Sequence, residues 1–308
     1  MACENSGERA LQPLRLAIGS FAMTDQFATL ADDLLRMEEV ETDCFRSNWH
    51  FGNALGANFG GQMFGQAMAA AVRTCPDWPV HYMSGGFVRP GRSTGPIDYK
   101  VTRLRDGRSF ATRLVSAIQD GHAIFEALAS FHTPENSPHH EQPVREGTPD
   151  VDDLIDLYDF IRANGDRISN PKVAEFLKIW PFDIRLADVE SLLSAHEGKG
   201  HDFDYWARIR PSALAKARPG DEQSLFGFLS DFWFAGTALR RHAQPFGGGF
   251  QNSTLNHSVW FHAPFTMDDW LLFQVDSPVV SDARGMTRGL IYDRKDRLVA
   301  SAVQVLLV

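Results

Sequence analysis

The sequence predicts an α+β architecture built twice, as two tandem units that each wrap an antiparallel sheet around a central helix. Three features predict it. A helix-period apolar segment occurs in each half, turn-punctuated strand runs follow each helix, and one offset aligns the two halves without a gap. The 308 residues, 44% hydrophobic and 22% charged, are ordinary globular composition and long enough to bury two cores.

Residues 1–22 carry no convincing signal peptide, since the apolar run LRLAIG is too short, and read as an extension ahead of a first unit at 23–132. In that unit GGQMFGQAMAAAVRTCP (60–76) spaces Met63, Phe64, Ala67, Met68 and Ala71 at helical intervals. Gly65, Ala69 and Ala70 fill its other faces, so the helix is expected to be buried nearly all round and to end at Pro76. Strand runs follow, with Asp106-Gly107 and Asp120-Gly121 as hairpin signals between at least three antiparallel strands.

Residues 133–178 read as a linker and helical insertion without chemistry. The stretch 133–160 is rich in proline and acids, with Arg145 alone among eight carboxylates from Glu135 to Asp159. The second unit, 179–308, repeats the first pattern. Strand-like FDIRLADVE and FDYWARIRP precede a second buried helix, QSLFGFLSDFWFAGTALRRH (223–242), with Pro245 beyond it and further strands after. Placing Phe87 of FVRPG on Phe261 of FHAPF puts Pro90 on Pro264 and AIFEALASF (123–131) on RLVASAVQV (297–305). A helix wrapped by a sheet needs a second such unit to cover its open flank, and here the pair is covalent, a double hot-dog.

The formal net charge of −9 argues against non-specific nucleic-acid binding. No run of about 18 apolar residues predicts a membrane span. Cys3, Cys44 and Cys75 are odd in number and lack CxxC spacing, which points to a reducing, cytoplasmic setting and to no zinc site. The closing LLV is not a peroxisomal tripeptide. His139-His140 reads as solvated loop. One locally basic stretch lies between 89 and 113, where Arg89, Arg92, Lys100, Arg103, Arg105, Arg108 and Arg113 face only Asp98 and Asp106.

Asp231 stands among Phe228, Phe232, Trp233 and Phe234. Desolvation there raises a carboxyl pKa toward the range of a general base at neutral pH. Gln304 shares strand parity with Ala300 and Ala302, leaving a long amide room to reach inward. Its counterpart at the repeat offset is Ser130, so one site per chain is expected. Thr254 can both donate and accept. Gly60 and Gly61 leave unpaired N–H groups at a helix start, suited to an oxyanion, and Gln62 is expected to face the same place.

The stretches FGGQMFGQA (59–67), GGFVRPG (85–91), LRDGRSFATRLVSAIQDGHAIFEALASF (104–131), STLNHSVWFHAPF (253–265), WLLFQVDSP (270–278) and ARGMTRGLIYDRKDRLVASAVQ (283–304) resemble, in order and across both units, the acyl-CoA thioesterase II family. The resemblance implies a hydrolase of acyl-CoA, active in fatty acid and lipid metabolism, that works without a covalent intermediate, a metal or a redox cofactor. Its Asp, Ser or Thr, and Gln, which hold and activate a water, map onto Asp231, Thr254 and Gln304. Arg89, Arg92 and Arg108 are then candidates for the CoA phosphates, and exposed sheet edges predict a dimer or tetramer. The sequence departs from the family at Asn256, where Asp is usual, at Ala302, where Thr is common, and in the closing VLLV. The DxNPxH loop of related hydratases and the GxSxG elbow of serine hydrolases are both lacking. His257 and Ser258 point to opposite faces of a strand and form no dyad. The competing reading is a non-catalytic acyl-CoA-binding or regulatory protein of the same fold.

Overall fold

The computed structural model describes residues 31–51, 57–165, 177, 180–189, 200, 202–213, 221–242 and 253–308. The expected extension 1–22, Cys3 and Pro245 lie outside them. In chain order the elements are α1 (Ala31–Leu34), β1 (Glu38–Glu41), β2 (Cys44–Ser47), α2 (Gly60–Arg73), β3 (Val80–Phe87), β4 (Ile97–Asp106), β5 (Phe110–Gln119) and β6 (His122–His132). After the linker come α3 (Leu157–Ala163), β7 (Phe182–Leu186), β8 (Asp202–Ile209), α4 (Glu222–Ser230), α5 (Phe234–Leu239), β9 (Ser253–Phe261), β10 (Leu271–Ser281), β11 (Arg284–Tyr292) and β12 (Leu298–Leu307).

The 12 strands join one antiparallel sheet in the order β1-β2-β4-β5-β6-β3-β9-β12-β11-β10-β8-β7. Local chemistry sets its hairpins. Asp120 and Gly121 both take positive φ, 51° and 76°, the backbone that a two-residue turn matching strand twist requires. Helix α2 is buried from Gly61 through Ala71, its two glutamines Gln62 and Gln66 included. It packs antiparallel against α4, with Gly61 beside Phe228 and Gly65 beside Ser224. The small residues let the two backbones approach.

The halves meet where β3 pairs with β9. There Ser84 faces Ser258, 174 residues away, with 2.8 Å between their hydroxyl oxygens. A residue opposite its own repeat marks a local two-fold axis, and the offset is the one read from Phe87 and Phe261. Both central strands also carry the same irregularity. The ladder steps over His81 between Val80 and Tyr82, and over Leu255 between Thr254 and Asn256.

Three expectations are corrected here. The second buried helix is two, α4 and α5, separated by a turn at Asp231–Trp233 in which the Phe232 N–H reaches the Leu229 carbonyl at 3.0 Å. The counterpart of Gln304 is Ala129 rather than Ser130. Gln304 faces His257 and Thr287, and Ala129 faces their repeats Met83 and Arg113. The shift arises because the β11–β12 connection is a residue longer: Ile291 faces Ala300, whereas Ala117 faces Phe125. Arg113 is no surface charge; it is buried and bonded to Thr74 and Asp106.

The acidic linker straps the outer face of the second half. Val151 packs with Trp206, Trp270, Leu272 and Tyr292. The Trp206 indole donates to the Pro149 carbonyl at 3.1 Å, and the Arg145 N–H donates to Gln274 Oε1 at 3.0 Å. An apolar sheet face that would otherwise meet water is thereby covered. Among the described residues no helix is long and apolar enough to cross a membrane.

Candidate active site

Asp231, 5% exposed, follows the last residue of α4. Its Oδ1 accepts from Thr254 Oγ1 at 3.0 Å and from Gln304 Nε2 at 2.7 Å. The Gly61 backbone N–H at the start of α2 also donates to the carboxyl. Burial pushes the Asp231 pKa up to about 6, and the bonds from Thr254, Gly61 and Gln304 pull part of the way back. The Gln304 amide also reaches Thr254 Oγ1, closing a triangle. Thr254 is half-buried and is the most exposed of the three.

The elements explain this convergence. Asp231 caps the C-terminus of α4 with its backbone still in the right-handed helical region, and its side chain reaches α2 and β9. The step over Leu255 turns Thr254 to the inward side, next to buried Leu306 across the ladder, which plain alternation from His257 would not do. Gln304 points inward by the alternation it shares with Ala300 and Ala302, all three buried.

Both glycines at the start of α2 are fixed by contact. A Cβ on Gly60 would lie 2.7 Å from Asp231 Oδ2 and 3.1 Å from the Phe87 ring; one on Gly61 would lie 2.2 Å from the Phe228 carbonyl oxygen. The Gly61 N–H is directed at Asp231, so it holds the carboxyl rather than serving an oxyanion. Gly60, at the first position of the same 14-residue helix, keeps the positive end of the dipole beside the carboxyl. Gln62 does not join the site. It is fully buried, donates to the Trp49 carbonyl at 2.6 Å and accepts from the Phe51 N–H, so it braces the segment before α2.

The three arginines part company. Arg92 is tied to the approach of α2, since Ala57 bridges to Arg92 and the Asn58 N–H reaches the Gly91 carbonyl at 2.9 Å. Its side chain pairs with Asp120 on the surface, and Arg89 donates to the Ala123 carbonyl at 2.8 Å beside it. Arg108 sits in the β4–β5 turn, at the other end of the 10-residue strand β5, which spans about 30 Å. One anion cannot engage all three. Asn256, the departure from the family pattern, is exposed and pairs with Gly86 and Val305, so it lies off the triangle.

One pair escaped the sequence reading. His257 Nε2 lies 2.8 Å from the hydroxyl of Ser230, and both residues are fully buried. In sequence the hydroxyl adjacent to His257 is that of Ser258, on the opposite face of the strand. The alternation His257, Val259, which turns both side chains inward, was the available signal; the Ser230 partner depends on the helix break and left none.

Residues 46–132 match the family model of the acyl-CoA thioesterase N-terminal domain, and residues 152–308 match that of the C-terminal domain. The chain belongs to the acyl-CoA thioesterase family. Acyl-coenzyme A thioesterase 8 of Mus musculus is 31% identical over 296 residues, covering 91% of this chain and 89% of that protein. Acyl-CoA thioesterase 2 of Haemophilus influenzae is 30% identical over 276 residues, covering 88% and 94%. The crystal structure of an acyl-CoA thioesterase II, TesB2, from Mycobacterium marinum superposes with a TM-score of 0.70 at 30% identity, covering 90% of this chain and 97% of that one. A putative thioesterase II from Thermobifida fusca shares the fold, with a TM-score of 0.71 at 17% identity over 94% and 99% of the two chains. The thioesterase fold is thus the double hot-dog, with the triangle at the meeting of the two halves.

Proposed function

We propose that this thioesterase hydrolyses acyl-CoA to a free fatty acid and CoA by direct attack of water, with Asp231 as general base and Thr254 and Gln304 orienting the water. The convergence of three donors on one buried carboxyl carries the reading. A carboxyl with its pKa near 6 is ionised at neutral pH yet basic enough to take a proton in the transition state. Water oxygen bonds to the thioester carbon while its proton passes to Asp231, and the carbonyl becomes an oxyanion. In this reading the Gly60 N–H and the dipole of α2 stabilise that charge. Collapse breaks the C–S bond, and the proton held by Asp231 goes to the departing thiolate. No acyl-enzyme forms.

Arg89 and Arg92, on the loop that carries the approach to α2, serve the CoA phosphates in this reading. Their surface position leaves them free to exchange Asp120 and Ala123 for a phosphate. The site lies within a C-terminal unit at 179–308 that depends on the first unit, 23–132, for Gly60 and Gly61. A cytoplasmic homo-oligomer, dimer or tetramer, acting in fatty acid metabolism completes the proposal. Thiol release from a panel of acyl-CoAs tests it. The wild type is expected to turn over and Asp231→Asn to lose at least about a hundredfold in kcat. Equal turnover by both would reject the base, and acyl-CoA binding without release by either would favour a non-catalytic protein.

A further inference from the structure

We infer that His257 is a positioning residue: through Ser230 and its place beside Gln304, it holds the carboxyl and the amide of the triangle in register. This rests on the hydrolytic reading above. Ser230 is the last residue of α4 and immediately precedes Asp231. Its hydroxyl also donates to the Gly227 carbonyl at 3.2 Å, so it accepts from His257 Nε2–H, which assigns the proton to Nε2 and leaves Nδ1 bare. On the strand side, His257 stands directly opposite Gln304 in the β9–β12 ladder, so ring and amide lie side by side. The ring is held edge-on by Phe64 of α2 at 4.8 Å and Phe234 of α5 at 5.8 Å. One imidazole thus meets α2, α4, α5 and the strand that carries Gln304.

The duplicated half provides an internal control. Met83 occupies the position of His257 and faces Ala129, and both are buried. The core therefore accepts an apolar side chain at this position. A buried imidazole with Nδ1 unpartnered is unfavourable by comparison, and it occurs in the half that has Asp231, Thr254 and Gln304. Burial also keeps the ring neutral, with its pKa pushed down to about 3, so it orients the carboxyl without adding a charge. Ser230 and His257 are both sealed from solvent, which denies them a nucleophilic role of their own.

His257→Phe keeps a ring of similar size and removes the bond to Ser230; His257→Gln restores a donor at a similar reach. Turnover, KM and Tm are measured for both, for Ser230→Ala, and for Ser230→Ala combined with His257→Phe. The expected result is a kcat about tenfold lower in His257→Phe with KM changed less than about twofold, most of it recovered in His257→Gln. Ser230→Ala should lose a similar amount, and the double variant no more than either single, as for two groups acting through one bond. A His257→Phe kcat within about twofold of wild type overturns the inference, as does a loss that His257→Gln does not recover. Should His257→Phe fail to fold, Ser230→Ala decides, and unchanged turnover there overturns it. An inactive Asp231→Asn beside a fully active His257→Phe sinks the positioning role alone. A wild type that releases no thiol sinks the hydrolytic reading, and the positioning role with it.

Discussion

Replacing Asp231 by Asn keeps the shape of the side chain and removes a charge that burial disfavours. The folded carboxyl titrates near 6 against an ordinary 3.8, about two pK units, so ionising it inside the fold costs roughly 3 kcal/mol. The raised value fixes the sign. Between pH 3.8 and about 6 the folded chain keeps a proton that the unfolded chain has lost, so this contribution to stability is full below 3.8. It declines through that window and stays lost above it. The Asn variant does not titrate and escapes the decline. It should exceed wild type by up to about 3 kcal/mol at pH 8, by about half that at pH 5, and by nothing near pH 3.5. For 308 residues this is a rise in Tm of roughly 4 °C. Part of the gain is offset because Asn offers one acceptor oxygen to the three donors from Gly61, Thr254 and Gln304. Urea titrations of both proteins at pH 8 and pH 4, run beside thiol release, measure the trade of activity for stability. An Asn variant no more stable than wild type at pH 8 would refute the reasoning. So would an advantage that persists undiminished at pH 4.

Four further outcomes follow from the same geometry. The kcat/KM of the wild type should rise with pH through an acid limb near 6, and a limb near 4 would mean that the base is an ordinary solvated carboxylate. Gly60→Ala, whose Cβ would sit 2.7 Å from Asp231 Oδ2, should cost at least about tenfold in kcat with little change in Tm. Gly61→Ala, 2.2 Å from the Phe228 carbonyl oxygen, must move backbone and should cost about 3 kcal/mol in stability as well; equal melting of the two variants would count against this packing. A non-hydrolysable acyl-CoA analogue should bind the chain once by calorimetry, and two equivalent sites would contradict the single triangle.

How much of this was legible depends on whether the signal was local. The hairpins were, because Asp-Gly pairs carry their turn geometry with them. Helix α2 was, because its small and apolar residues repeat at helical spacing. The break at Asp231 was not: residues 223–242 are continuous in helical character, and the turn is stabilised by partners on α2, β9 and β12. Gln304 could be placed inward by counting from Ala302, whereas Thr254 could not, since the step over Leu255 reverses the parity. Arg108 is sixteen positions from Arg92 in sequence, yet the extended 10-residue strand β4 lies between them and puts them at opposite ends. The family resemblance points to Asp231, Thr254 and Gln304 together, whereas residue chemistry alone singles out only Asp231, a carboxylate among aromatic side chains.

The local two-fold axis at Ser84 and Ser258 generates a second place where a triangle could stand, and the side chains there show why it does not. The positions of Thr254, His257 and Gln304 are taken by Val80, Met83 and Ala129, all buried and none able to hold a water. Thr287, whose hydroxyl donates to the Phe234 carbonyl at 3.0 Å, is replaced by Arg113, whose guanidinium bonds the Thr74 hydroxyl at 2.9 Å and the Asp106 carboxylate at 2.5 Å. Each half therefore ties its helical segment to the sheet at the same ladder position, but the first half does so with a bulky cation fully committed to structure. Converting it would require new polar groups at these three buried positions, a carboxyl at the counterpart of Asp231 and removal of that cation, each step destabilising by itself. The duplication thus leaves one half free to serve as scaffold, supplying Gly60 and Gly61 to a carboxyl that the other half presents.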